Sequence, residues 1–199
     1  MSPAIDTRDA AAVEDEVHSI YAALFPGAAN DFVRTAFGWA ARCFAGGHPD
    51  YLPIDARYHD FEHTLQGALC LARLMRGLHA AGDAAAQTVR AFELAIVAIL
   101  FHDTGYLKAR SDTEGTGAKY TAVHVGRSAA FAGAFLAPKG FTPAEVRAVQ
   151  NMISCTGIST DLKAIDFQSE QERTLGYALA TADLLGQMAA PDYVEKLPV

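Results

Sequence analysis

Phe92-Glu-Leu-Ala-Ile-Val-Ala-Ile-Leu-Phe101 is the most apolar run of the chain, and His102, Asp103, Thr104 and Gly105 follow it at once. The run is too short to span a bilayer and is bracketed by Glu93 and His102, so it reads as a core helix rather than a membrane segment. An imidazole and a carboxylate side by side at the end of such a helix need partners, because burying unpaired charge costs free energy. A divalent metal ion meets that need.

The rest of the sequence is built to surround such a helix. Alanine is abundant and β-branched runs are scarce, which favours helices over strands and predicts an all-α bundle. A length of 199 residues predicts one domain, residues 1–199, and a hydrophobic half supplies its core. The formal net charge of −7 leaves no broad basic surface for a nucleic-acid duplex and is read as serving solubility. Cys43, Cys70 and Cys155 lie far apart in apolar helical stretches without a Cys-x-x-Cys spacing, as free thiols of a reducing cytoplasm do. The N-terminal Met1-Ser-Pro-Ala-Ile-Asp6 has neither a basic nor an apolar targeting region, so a cytoplasmic location is expected.

Caps and breakers divide the chain into helices. The first covers roughly Ala10 to Phe25 and is closed by Pro26-Gly27; a second opens with Asn30 as N-cap and stops at Gly46-Gly47. A third is expected from near His59 to Gly82, and a fourth, capped by Asp83, runs into His102. Residues 104–118 form a polar, glycine-containing loop, the candidate rim or lid of a site. A fifth helix is expected from Tyr120 to Leu136. Thr142-Pro143-Ala144-Glu145 is a capping box that opens the sixth, and Ser169 to Glu172 reads as another that opens the last, with Pro191 as its stop. The closing Leu197-Pro198-Val199 shows no terminal element of its own, which leaves room for further C-terminal sequence.

Three further residues suit a metal site. His59 and His63 are four apart, so on a helix they share one face; the alternative is incidental histidines at a helix N-terminus. Asp183 is the only charge in Ala178-Leu-Ala-Thr-Ala-Asp-Leu-Leu185, where apolar neighbours such as Leu179 and Leu184 argue for a buried ligand rather than a solvated turn. Imidazole mixed with carboxylate suits a near-octahedral Mn, Mg, Fe, Co, Ni or Zn ion with open water positions. A structural zinc site would instead favour cysteine in a closed tetrahedron.

Arg57-Tyr58-His59-Asp60-Phe61-Glu62-His63-Thr64, then His102-Asp103-Thr104-Gly105, then Thr181-Ala182-Asp183 resembles the HD-domain metal phosphohydrolases over about residues 57–190. The Tyr-His-x-x-x-His portion is similar to cyclic-nucleotide phosphodiesterases, whose motif is Tyr-His-Asn-x-x-His. The resemblance implies an HD-type helical bundle that hydrolyses a small-molecule phosphoester, a nucleotide or cyclic nucleotide, with metal-activated water. It implies His63, His102, Asp103 and Asp183 as metal ligands, Asp103 as the residue able to bridge to a second ion, and His59 as the acid that protonates the leaving oxygen. Asp60 departs from the pattern where it has Asn, and Tyr106 stands where those enzymes have a histidine. The sixth helix offers only Asn151 and Cys155 where a histidine pair is expected, so a second ion would lean on Asp103, water and His124. His124 is otherwise an interior histidine. Lys108, Arg110, Lys119 and Arg127 are the candidates for phosphate, or else solvated surface charge. Two other readings share the fold: a di-iron oxygenase, which needs a fuller ligand set, and a nucleotide sensor without turnover.

Overall fold

A computed structural model describes residues 5–28, 31–157 and 159–189. Among these residues seven α-helices form the bundle: α1 (Ala10–Leu24), α2 (Phe32–Phe44), α3 (Phe61–Ala80), α4 (Val89–Phe101), α5 (His124–Leu136), α6 (Pro143–Ser154) and α7 (Glu170–Met188). Among the described residues there is no strand; Tyr51 and Ala109 form a lone antiparallel bridge. The fold is all-α, as the composition predicts.

Helix α4 is the axis of the molecule. Its residues from Phe92 to Phe101 are buried apart from the half-covered Leu94, as befits a helix that is apolar all round. Helices α2, α3, α5, α6 and α7 pack around it. The outer helices are amphipathic: α1 buries Val13, Val17, Ile20 and Tyr21, on the spacing of one helical face. Buried Glu93 is satisfied twice, accepting from the Tyr21 hydroxyl at 2.8 Å and pairing with Arg90 at 2.9 Å. Arg90 also grips Glu145 at 2.6 Å and so ties α4 to α6. Among the described residues no helix is long and apolar enough to cross a membrane.

The caps correct several expected boundaries. The Asp60 carboxylate accepts the His63 amide and starts α3 at Phe61, so His59 precedes the helix instead of lying on it. Asp83 caps only a short 3-10 turn, Ala84–Ala86, and the Thr88 hydroxyl starts α4. Gly117–Tyr120 forms a separate 3-10 turn, which delays α5 to His124. The capping box at Thr142 and Glu145 is complete. At Ser169 only half of one forms, because Glu172 accepts from the Gln168 amide and from Asn151. The Asn30 cap, the Pro191 stop and both chain ends lie outside the described residues.

Candidate metal centre

Three helices deliver the donor atoms. His63 sits in the first turn of α3, which Asp60 fixes by its cap. His102 ends α4 and Asp103 follows it into the 3-10 turn Thr104–Tyr106. Asp183 comes from α7, which crosses α3 at close range. A Cβ on Gly186 would lie 2.9 Å from the Gln66 and Gly67 backbone, so only glycine lets the helices approach there. That close crossing brings the Asp183 carboxylate against His63.

The donors converge. Asp183 Oδ1 is 2.9 Å from His63 Nε2 and 3.3 Å from His102 Nε2. Asp103 Oδ2 is 3.4 Å from each of the same nitrogens, and the two nitrogens are 3.4 Å apart. With metal–ligand bonds of about 2.1 Å, neighbouring donors stand about 3.0 Å apart in an octahedron and about 3.4 Å in a tetrahedron. The observed spacings fall in that range. His102 Nδ1 lies 2.7 Å from the Ile99 carbonyl, an acceptor only, so it carries the proton and leaves Nε2 as a lone pair aimed at the cluster. Two imidazole Nε2 atoms facing each other between two carboxylates call for a cation, so the donor set fits a divalent metal.

Electrostatics agree with that chemistry. Burial works against a charged His102, but Asp103 and then Asp183 outweigh it and raise its pKa to about 10. Burial also works against ionised Asp103; His102, then the His59 hydrogen bond, overcome it and bring the carboxyl down to about 2. Asp183 is held below the usual carboxylate range against burial by His102 and His63. The cluster holds its carboxylates ionised, and a proton on His102 competes with a metal for the same lone pair.

A second donor group overlaps the first: His59, His63 and Asp103. His59 Nδ1 lies 3.0 Å from Asp103 Oδ2. The other Asp103 oxygen, Oδ1, is 3.8 Å from His124 Nε2. Tyr106, unremarked in the sequence except as a departure, is the floor of this half. Its buried ring stacks on His59 at 4.3 Å and on His124 at 4.5 Å between centroids, with the two imidazoles 5.7 Å apart. These distances place both imidazoles over one face of the phenol ring.

The predicted phosphate-binding cations are engaged elsewhere. Buried Lys108 donates to the Gly115 carbonyl and lies 3.4 Å from Asp55. Arg110 donates to the carbonyls of Gly46, His48 and Pro49. Lys119 pairs with Asp112 at 2.5 Å. Arg127 donates to the carbonyls of Gly105 and Leu107. Lys108 through Asp55, with Arg110 and Arg127, ties the 104–118 segment to the body of the protein, while Lys119 braces it from its own C-terminal end, so it is not an open lid. The setting of Asp183 also differs in part from expectation: Leu179 and Ala182 are buried, but Leu184 and Leu185 are 53% and 45% exposed. Cys43 and Cys155 are buried free thiols, and Cys70 is a half-buried one.

No curated protein and no solved structure matches the chain. The family model described as Npun_R2479-like matches residues 12–199, a span that takes in every donor of the centre. The chain therefore belongs to the Npun_R2479-like family.

Proposed function

We propose that this protein is a metal-dependent phosphohydrolase of the HD type, acting on a small phosphoester, with a nucleotide or cyclic nucleotide as the favoured substrate class. The observation that carries this reading is the convergence from three helices of His63 and His102, whose Nε2 atoms are 3.4 Å apart, with Asp183 and Asp103, each carboxylate lying 2.9–3.4 Å from both nitrogens, in the chain order His…His-Asp…Asp. A divalent ion bound there would supply a Lewis acid for a phosphoryl oxygen and a hydrolytic water active at neutral pH.

The protein's own residues provide the proton chemistry. A carboxylate only accepts hydrogen bonds, so His59 Nδ1 carries the proton toward Asp103. Nε2 is then the atom that holds or releases a proton on the substrate side. The side chain is 31% exposed, unlike the nearly buried ligands, so it can reach a leaving oxygen. The Tyr106 ring fixes the imidazole plane from below.

Asp103 also supports a two-ion variant of the same reading. Its Oδ1 faces His124 and its Oδ2 faces the other histidines. Under that variant His59 and His124 would hold the second ion. A hydrolysis screen of nucleotides, cyclic nucleotides and aryl phosphodiesters with Mn, Mg, Fe, Co, Ni and Zn tests the proposal, with Asp183→Ala as the control. Turnover by the wild type that vanishes with the metal in the variant supports it. Metal retained in full by Asp183→Ala, or oxygen consumption with iron in place of hydrolysis, would overturn it.

A further inference from the structure

A cleft of about 410 Å³ is lined by Thr104 and Gly105 and by none of the metal-centre donors. That volume lies within the range of small-ligand sites, roughly 300–1,000 Å³. Along α5 the small side chains Ala130 and Ala134, one helical turn apart, line the cleft and leave room above the helix. Aromatic rings flank them: Phe131 and Phe135 from α5, and His48 and Tyr51 from the loop between α2 and α3. His48 packs edge-on or tilted on Tyr51 and Phe131, at 5.0 and 5.4 Å, while Phe131 and Phe135 stack nearly parallel at 5.9 Å. Such a setting takes a flat aromatic ligand.

The polar end of the cleft is Arg127. Its guanidinium lies 3.6 Å from the centre of the Tyr120 ring, and its Nε and Nη2 donate to the carbonyls of Gly105 and Leu107 at 2.7 and 2.8 Å. Nη1 has no hydrogen-bond partner among the described residues. The opposing charge on the rim is Asp50, whose side chain is 80% exposed and screened by water. The partly buried guanidinium therefore sets the preferred sign.

The cleft is separate from the metal centre. A Cβ on Gly105 would collide with the His124 carbonyl and lie 2.8 Å from the Ser128 amide. Loop and helix meet there backbone to backbone, closing a direct passage at that point. Arg127 nevertheless belongs to both sides, because it grips the carbonyl two residues after Asp103.

We infer that this cleft is a second small-molecule site, for a planar aromatic anion, and that Arg127 couples its occupancy to the loop carrying Asp103. The binding does not require the hydrolase reading; the coupling requires only the metal site.

Titration calorimetry with 1-naphthoate and with uncharged 1-naphthalenemethanol tests it. The carboxylate should bind about tenfold tighter or more, as a charge-assisted hydrogen bond gives. Ala134→Phe fills the cleft and should abolish that binding, with Ala130→Leu as a second blocking variant should the first misfold by circular dichroism. Asp183→Ala should keep naphthoate binding, which separates failure of the metal site from failure of the cleft. Saturating naphthoate should shift the Mn²⁺ affinity of the wild type at least threefold, and Mn²⁺ should shift naphthoate affinity by the same factor. Absence of naphthoate binding, no preference for the anion, or unchanged binding in a folded blocking variant overturns the site. Binding that leaves Mn²⁺ affinity untouched overturns the coupling.

Discussion

At the scale of single residues, His59 and Gly105 make the sharpest cases. His59 stands outside α3 and bonds to Asp103, so His59→Ala should leave one tightly held ion in place. General acid catalysis is typically worth about 10²–10⁴ in rate. The loss should therefore be large on a nucleotide ester, whose alkoxide needs a proton, and small on a nitrophenyl diester, whose leaving group does not. Equal losses with metal retained would leave His59 a positioning role, and loss of the ion would make it a ligand. Gly105→Ala has no room for its methyl against the His124 carbonyl. It should destabilise by about 1–3 kcal/mol, as overpacking does, measured by urea unfolding; an unchanged midpoint would show that the loop yields. The thiols are a third case. Burial raises Cys43 to about 11 and Cys155 to about 12, so neither offers thiolate at neutral pH. An aromatic disulfide reagent should label them only on unfolding, and Cys70 first.

At the scale of elements, the α3–α7 crossing decides whether a site exists. Gly186→Leu touches no donor, yet its side chain would push α7 from the Gln66–Gly67 backbone and carry Asp183 away from His63. Bound metal should fall sharply by elemental analysis while helicity is kept; full occupancy would show that the crossing is not what positions Asp183. The α4–α6 tie has a pH signature. The Arg90 hydrogen bond lowers the Glu145 pKa from its ordinary 4.5 to about 2. A depressed carboxyl stabilises the fold fully above its unfolded pKa and loses that contribution as pH falls through the folded one. The thermal midpoint of the wild type should therefore exceed that of Glu145→Gln at pH 6, and the gap should close between about pH 4.5 and 2. A gap independent of pH would assign the difference to the cap hydrogen bonds to Thr142 instead.

For the whole molecule, folding and metal binding are linked, since the four donors exist as a site only when three helices are packed. An ion at a hundred times its dissociation constant adds about 2.7 kcal/mol. For a chain of this size that is a rise in Tm of roughly 5–10 °C. Asp183→Ala should show little of it. A wild-type midpoint indifferent to all six metals would remove the site from consideration.

The helical class was legible in the chain because its evidence is local: alanine content, the apolar run before His102, and the capping box at Thr142 each act within a few residues. The candidate donors were legible for a similar reason, since isolated charges in apolar helices stand out by type. Boundaries were less so. Asp83 and Thr88 both offer a cap before α4 and only Thr88 starts it, while the Asp60 cap starts α3 one residue after itself and leaves His59 off the helix. The roles of Lys108, Arg110, Lys119 and Arg127 could not be read at all, because their partners are mostly backbone carbonyls, which every residue carries. Nor could the Tyr106 floor, or the close approach at Gly186, be seen in the order of residues. Sequence determined which side chains would need a partner; only the packed structure decided which partner each one met, because distance between helices is a property of neither helix alone.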